Sequence, residues 1–260
     1  MKTRIVWLVA FCILLGSAVA QAAVMTWTVG GVERKALVFA PPGHGGGKVP
    51  LVFAFHGHGG NMRGAARGMA FQKAWPGAIV VYMQGLPTPS KIDPQGRRPG
   101  WQHELGENGD RDLKFFDAVL ATLRQKYPVD DRRIYATGFS NGAFFTYFLW
   151  AERGKTFAAF GPCAGLIWPT LQLTEPKPAL HVGGQADPLV KFADQEKTIE
   201  TVRQLDGATA AGTSCGTGCT LYPSPKDTPV ETFIHPGGHV FPPAATDLIV
   251  KFFKEHSLAP

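Results

Sequence analysis

The chain has 260 residues, 45% of them apolar and 18% charged, with a formal net charge of +6. That length and apolar content suffice for one large core. The basic residues are scattered, with Arg97-Arg98 and Arg132-Arg133 as the densest pairs. No basic stripe interleaved with aromatics exists, so the charge does not read as nucleic-acid binding.

The first twenty residues read as a targeting segment. Lys2 and Arg4 form a short basic region, Ile5 to Leu15 is an unbroken apolar run, and Ala18-Val19-Ala20 offers a small-x-small cleavage pattern. The run falls short of the ~20 residues of a bilayer span, and nothing later reaches that length. A cleaved secretory signal over 1–20 is therefore expected, leaving 21–260 as one α/β domain that does not associate with a membrane. Loss of Lys2 and Arg4 takes the charge to +4. The expected location is periplasmic or extracellular.

Two β-prone runs, Met25–Val29 and Val32–Phe39, flank Gly30-Gly31 and predict a hairpin. Leu51–Phe55 is continuously apolar, as in a strand buried on both faces. It ends at His56-Gly57-His58-Gly59-Gly60-Asn61. A helix is expected over about Arg63–Ala74 and a buried strand over Ala78–Met83. The Pro- and Gly-rich stretch Gln84–Gly109, which holds Trp101, is too long for a plain connection. Leaving the carboxyl end of a parallel strand, it should border the ligand crevice. A helix capped by Asp110 or Asp112 and running to about Tyr127 has its apolar stripe at Leu113, Phe116, Leu120, Leu123 and Tyr127. Asp130-Asp131 should turn the chain into the next strand.

Ile134–Thr137 then leads into Gly138-Phe139-Ser140-Asn141-Gly142 and a helix-compatible run, Ala143–Trp150. Strand, G-x-S-x-G turn and helix together form the pattern of a nucleophile elbow. Glycines two residues either side of Ser140 remove Cβ atoms that would clash with the neighbouring strand and helix. Strands follow at Phe157–Phe160, Ala179–Val182 and Val230–Ile234. Helices follow at about Lys191–Leu205 and Ala244–His256. The alternation predicts a mostly parallel sheet covered on both faces.

Beyond the strand at Ala179–Val182 lies Asp187; beyond the last strand lies His239. Serine, acid and histidine thus occur in the order expected of this type of sheet. Ser140 is expected as nucleophile, His239 as base and Asp187 as the group that holds the imidazole. Asp194 and Asp206 compete as acids, and His181 and especially His235 as bases. The His56–Gly60 turn should supply an oxyanion donor, with the N–H of His58 joining that of Asn141. A zinc reading of His56-x-His58 lacks a third ligand at a readable spacing. The turn also lacks the spacing of a phosphate loop, and no cofactor is expected. Cys215-Gly216-Thr217-Gly218-Cys219 can close as a short disulfide or stay as two thiols. Cys163 reads as a small buried hydrophobe.

These pieces resemble secreted α/β-hydrolases of the feruloyl esterase and polyhydroxybutyrate depolymerase-like group. The resemblance covers nearly all of the mature chain. It rests on Leu51–Asn61, Gly100-Trp101, Tyr127–Asp130 with Arg133–Tyr135, Ala136–Ala143, Asp187 in Gly184–Val190, and Pro236–Val240 with the helix after it. It implies an α/β-hydrolase fold and a serine esterase acting on small or oligosaccharide-linked esters. It also implies an aromatic acyl pocket, for which Trp101, Phe144 and Trp168 stand as candidates by position. With only the closing helix before Pro260, soluble esters or oligomers are expected rather than solid polymer. A hydroxybutyrate oligomer hydrolase, an acetyl esterase and an idle hydrolase fold used for binding are the alternatives.

Overall fold

The computed structural model describes residues 21–42 and 46–259. The expected leader at 1–20 lies outside the described residues. The chain builds β1 (Gln21–Val29), β2 (Val32–Ala40), β3 (Val49–Phe55), α1 (Met62–Gly68), α2 (Phe71–Ala74) and β4 (Ile79–Met83). Two-residue strands β5 (Leu86–Pro87) and β6 (Pro99–Gly100) follow, then α3 (Arg111–Lys126), β7 (Val129–Phe139), α4 (Asn141–Arg153) and β8 (Ala159–Cys163). The rest is β9 (Ala179–Gly184), α5 (Phe192–Asp206), β10 (Thr213–Gly216), β11 (Cys219–Tyr222), β12 (Val230–His235) and α6 (Pro243–Glu255).

Ten strands form one sheet in the order β1-β2-β4-β3-β7-β8-β9-β12-β11-β10. The six central strands from β4 to β12 run parallel, and antiparallel hairpins close both edges. Every residue of β3 and β4 is buried, which is why their sequences are unbroken apolar runs. One apolar cluster packs α3, α4 and α5 on one face; a second packs α1, α2 and α6 on the other. Among the described residues no helix is long and apolar enough to cross a membrane.

Several local readings change. The single helix expected over Arg63–Ala74 is broken at Ala70, which takes a left-handed φ of +50°. The break is stabilised because the Phe71 N–H donates to the Tyr82 hydroxyl at 2.9 Å. Asp130-Asp131 do not precede β7 but lie within it, where pairing with β3 slips between Val49 and Leu51. Asp130 holds that irregularity by accepting from Arg133 Nε at 2.6 Å and from the Arg132 N–H at 3.1 Å. Neither Asp110 nor Asp112 caps α3 with its side chain. Gln102 Oε1 does so, accepting the N–H groups of Asp112 and Leu113 at 3.0 and 3.1 Å. Asp112 instead points inward to Arg34 Nη2 at 2.7 Å and to the Gln102 N–H at 3.0 Å. β8 runs two residues later than the apolar run at Phe157–Phe160, and β10–β11 forms a hairpin that the sequence did not announce.

Candidate active site

Ser140 stands between β7 and α4 with φ +55° and ψ −122°, a conformation that L-residues rarely adopt. The flanking glycines are what let the chain turn there. A Cβ on Gly138 would strike the Gly142 carbonyl, and one on Gly142 would strike the Phe55 carbonyl and lie 2.7 Å from that of His56. The elbow is pinned from below, since the Ser140 N–H donates to the Cys163 carbonyl at 2.9 Å. The Ser140 carbonyl accepts the N–H groups of Ala143 and Phe144, which begins α4.

The structure brings Ser140, His239 and Asp187 into one hydrogen-bonded line. Ser140 Oγ lies 2.8 Å from His239 Nε2, and His239 Nδ1 lies 2.7 Å from Asp187 Oδ2. Asp187 Oδ1 accepts the N–H groups of Leu189 and Val190 at 2.8 and 2.9 Å, so the carboxylate cannot rotate away. His239 rests against the ring of Phe139 with centroids 4.9 Å apart. The rivals are engaged elsewhere. Asp194 pairs with Lys197 on the surface of α5. Asp206 is buried at the far end of α5, with Oδ1 accepting the Lys177 N–H. His235 accepts the Gly237 N–H at 3.1 Å and so shapes the turn that carries His239. His181 is buried in β9.

The His56–Gly60 turn packs directly on the elbow: a Cβ on Gly57 would lie 3.4 Å from Ser140 Cβ. The backbone N–H groups of His58 and Asn141 donate to no protein acceptor among the described residues. Two unspent donors beside a serine are what a developing oxyanion requires. The histidine rings of the turn have separate tasks. His56 Nδ1–H donates to the Gly57 carbonyl at 2.8 Å, and its Nε2 accepts the Gly85 N–H at 3.0 Å. Burial lowers the pKa of His56 to about 4, so it is a neutral strut. His58 turns its ring away, to Asp93 Oδ2 at 3.2 Å. Among the described residues, the cluster with metal-ligand spacing is Cys215, Cys219 and Glu231, and its sulfurs are bonded to each other as a disulfide. Cys163 is fully buried, and burial pushes its thiol pKa up.

Of the three aromatic candidates, Phe144 and Trp168 are half-buried and meet edge to face at 5.8 Å between centroids. Trp101 does not line an open pocket, which corrects its expected role. It has no exposed surface and is stacked on Phe145 at 5.2 Å, and its indole N–H donates to the His56 carbonyl at 2.8 Å. It supports the turn rather than the substrate. Sequence reasoning missed His103. Its ring lies flat on Trp168 at 4.5 Å, and its Nε2 accepts from Asn141 Nδ2 at 2.6 Å. Burial lowers its pKa to about 4, which keeps Nε2 free to accept. The preceding Trp101, two positions away in the same loop, was the only signal toward it. A groove of about 240 Å³ adjoins the site on the other side, between Gly57, Phe139, Met69 and Phe241. A larger one of about 470 Å³ lies beyond Glu104, against the end of α4.

No family model matches the chain. Over 105 residues it is 36% identical to "Probable feruloyl esterase C" of Aspergillus clavatus, covering 40% of this chain and 36% of that protein. Over 128 residues it is 27% identical to the bifunctional acetylxylan esterase/xylanase XynS20E of Neocallimastix patriciarum, covering 49% of this chain and 17% of that protein. The matched segments thus span about a third or less of these relatives. Among solved structures, acetyl xylan esterase from Aspergillus awamori is similar with a TM-score of 0.69 at 15% identity, over 89% of this chain and 99% of that one. A ferulic acid esterase is similar with a TM-score of 0.62 at 13% identity, over 90% and 95%. The chain is an α/β-hydrolase in fold, and in sequence its relatives are feruloyl and acetylxylan esterases.

Proposed function

We propose that the protein is a serine esterase that hydrolyses feruloyl and related carboxylic esters through an acyl-enzyme on Ser140. The observation that carries this reading is the unbroken line from Ser140 Oγ through His239 to Asp187. Ser140 attacks the ester carbonyl as its proton passes to His239 Nε2. Asp187 keeps the other proton on Nδ1 and offsets the imidazolium charge. The oxyanion forms between the N–H groups of His58 and Asn141, each a donor whose loss costs about 3 kcal/mol of barrier lowering. His239 then protonates the leaving alcohol. Water reverses the steps on the acyl-enzyme and releases the acid.

The half-buried faces of Phe144 and Trp168 suit an aryl or short acyl group. The relatives support small-molecule or polysaccharide-linked esters as the substrate class. The leader-like residues 1–20 support work outside the cytoplasm. Ser140→Ala should cut p-nitrophenyl acetate turnover by at least about 10⁴-fold while the protein stays folded. Parental turnover by that variant refutes the scheme. Release of ferulate from methyl ferulate, compared with cleavage of hydroxybutyrate oligomers, distinguishes the aryl ester reading from the hydroxyalkanoate one.

A further inference from the structure

Behind Asp187 lies a row of polar side chains that the proposed reaction does not use. Gln195 of α5, His181 of β9 and Tyr147 of α4 are each 2% exposed or less. Gln195 Nε2 lies 2.7 Å from the Val190 carbonyl and 3.3 Å from Asp187 Oδ2. Gln195 Oε1 lies 3.1 Å from His181 Nε2, and His181 Nδ1 lies 2.8 Å from the Tyr147 hydroxyl.

Every proton in this row has one consistent position. The Val190 carbonyl only accepts, so the Gln195 nitrogen must face it, and its second N–H reaches Asp187. Gln195 Oε1 then needs a donor, so His181 carries its proton on Nε2. His181 Nδ1 is left bare and accepts from Tyr147 O–H. Burial lowers the His181 pKa to about 4, so the ring stays neutral and this tautomer persists. The fold also makes room for the amide. A Cβ on Gly183 would lie 2.9 Å from Gln195 Oε1, and only glycine leaves that space open.

Tyr147 stands seven residues beyond Ser140, two turns along the helix that Ser140 begins. The row therefore closes a ring: Ser140, His239, Asp187, Gln195, His181, Tyr147 and back along α4. Core stability alone does not call for it, because well-packed apolar side chains avoid the desolvation cost that buried polar groups carry. We propose that Gln195 is a positioning residue for Asp187, with its amide oriented by the Val190 carbonyl and braced by His181 and Tyr147. Without the Tyr147 hydroxyl, His181 keeps its proton on Nε2 for Gln195 Oε1 but loses the contact that fixes its ring. The Gln195 amide keeps the orientation that the Val190 carbonyl sets, but its hold on Asp187 slackens. The inference rests on the serine esterase reading above.

The test measures kcat and KM on p-nitrophenyl acetate, the rate of fluorophosphonate labelling, and melting temperature. The variants are Gln195→Met, Tyr147→Phe and the two combined. Gln195→Met should lower kcat about tenfold, the size of one hydrogen bond to a carboxylate, with KM within about twofold. Tyr147→Phe should lower kcat about threefold, and the double variant should be no slower than Gln195→Met alone, since the hydroxyl acts only through the amide. Parental kcat in folded Tyr147→Phe overturns the proposal, as do single-variant effects that multiply. If Gln195→Met does not fold, the kcat and labelling rate of Tyr147→Phe decide by themselves. A parent enzyme that neither labels nor turns over overturns the underlying serine esterase reading. A parent that labels at the same rate as Tyr147→Phe overturns this inference alone.

Discussion

Replacing Asp206 with asparagine isolates the cost of one buried carboxyl. Asp206 ends α5 with no exposed surface. Its Oδ1 accepts the Lys177 N–H at 2.9 Å, while Oδ2 is buried without a partner. Desolvation outweighs that hydrogen bond and nearby Lys226, and raises the pKa to about 8. In the unfolded chain the pKa is about 3.9. A raised folded pKa contributes stability that is fully present below about pH 4 and is lost as pH rises through 8. Each unit in that window is worth about 1.4 kcal/mol, so the loss reaches about 4 kcal/mol at pH 7 and about 5 to 6 above pH 8. Against a total stability of about 5–15 kcal/mol, that is a large share. Asparagine has the shape of the protonated acid, keeps the oxygen that accepts from Lys177, and does not titrate. Urea unfolding of both proteins at pH 4, 7 and 9 makes other titrations cancel in the difference. Asp206→Asn should match the parent at pH 4 and exceed it progressively toward pH 9. A difference that stays constant across that range refutes the reasoning.

Three further outcomes follow from the packing. Gly142→Ala drives a Cβ into the Phe55 carbonyl and against that of His56, so it should abolish activity by displacing the His56–Gly60 turn from the elbow; parental kcat in this variant contradicts the fit. Asp112→Ala leaves the guanidinium of Arg34, whose side chain is 1% exposed, without its counter-charge, and should cost about 3–5 kcal/mol in a denaturant titration; a loss below 1 kcal/mol argues that the pair is not coupled. Replacing Cys215 and Cys219 by serine opens a five-residue loop and should cost about 2 kcal/mol. Because the bridge sits in the edge hairpin β10–β11, kcat should not change, and a tenfold fall means that the hairpin reaches the His239 loop.

Elements that bury both faces or a regular stripe were legible in the sequence. β3 and β4 read as unbroken apolar runs, α3 as a helical stripe, and the elbow as a glycine pattern with a steric cause now visible at Gly138 and Gly142. What was hidden depended on partners distant in sequence. The break at Ala70 needs Tyr82, eleven residues from the Phe71 N–H that it accepts. Asp112 looks like a helix cap until Arg34, 78 residues away, is brought beside it. β10 and β11 are four residues each and only Cys219 among them is buried, so burial imposes no alternation on them.

The loop from Gln84 to Gly109 carries the largest difference between sequence and structure. Its composition reads as long and unstructured, yet it is tied at each step to the turn and the elbow. Gly85 donates to His56, Asp93 accepts from His58, and the Trp101 N–H donates to Asn141 Oδ1 at 2.8 Å. Trp101 Nε1 reaches the His56 carbonyl, and Gln102 exchanges hydrogen bonds with Asp112 and the start of α3. These are single polar contacts, each with its own partner, and no periodicity announces them. Together they explain why Trp101 is buried and His103 is not free to swing. With Trp101 filling the space under the turn, the next side chain to face Phe144 and Trp168 is His103, fixed by Asn141. In the proposed reaction the same asparagine offers its backbone N–H toward the oxyanion, so on that reading the wall of the acyl pocket and the oxyanion site share one anchor. A substitution at His103 should therefore change acyl preference and kcat together, whereas one at Trp168, whose ring meets those of Phe144 and His103, should act mainly on KM for aryl esters.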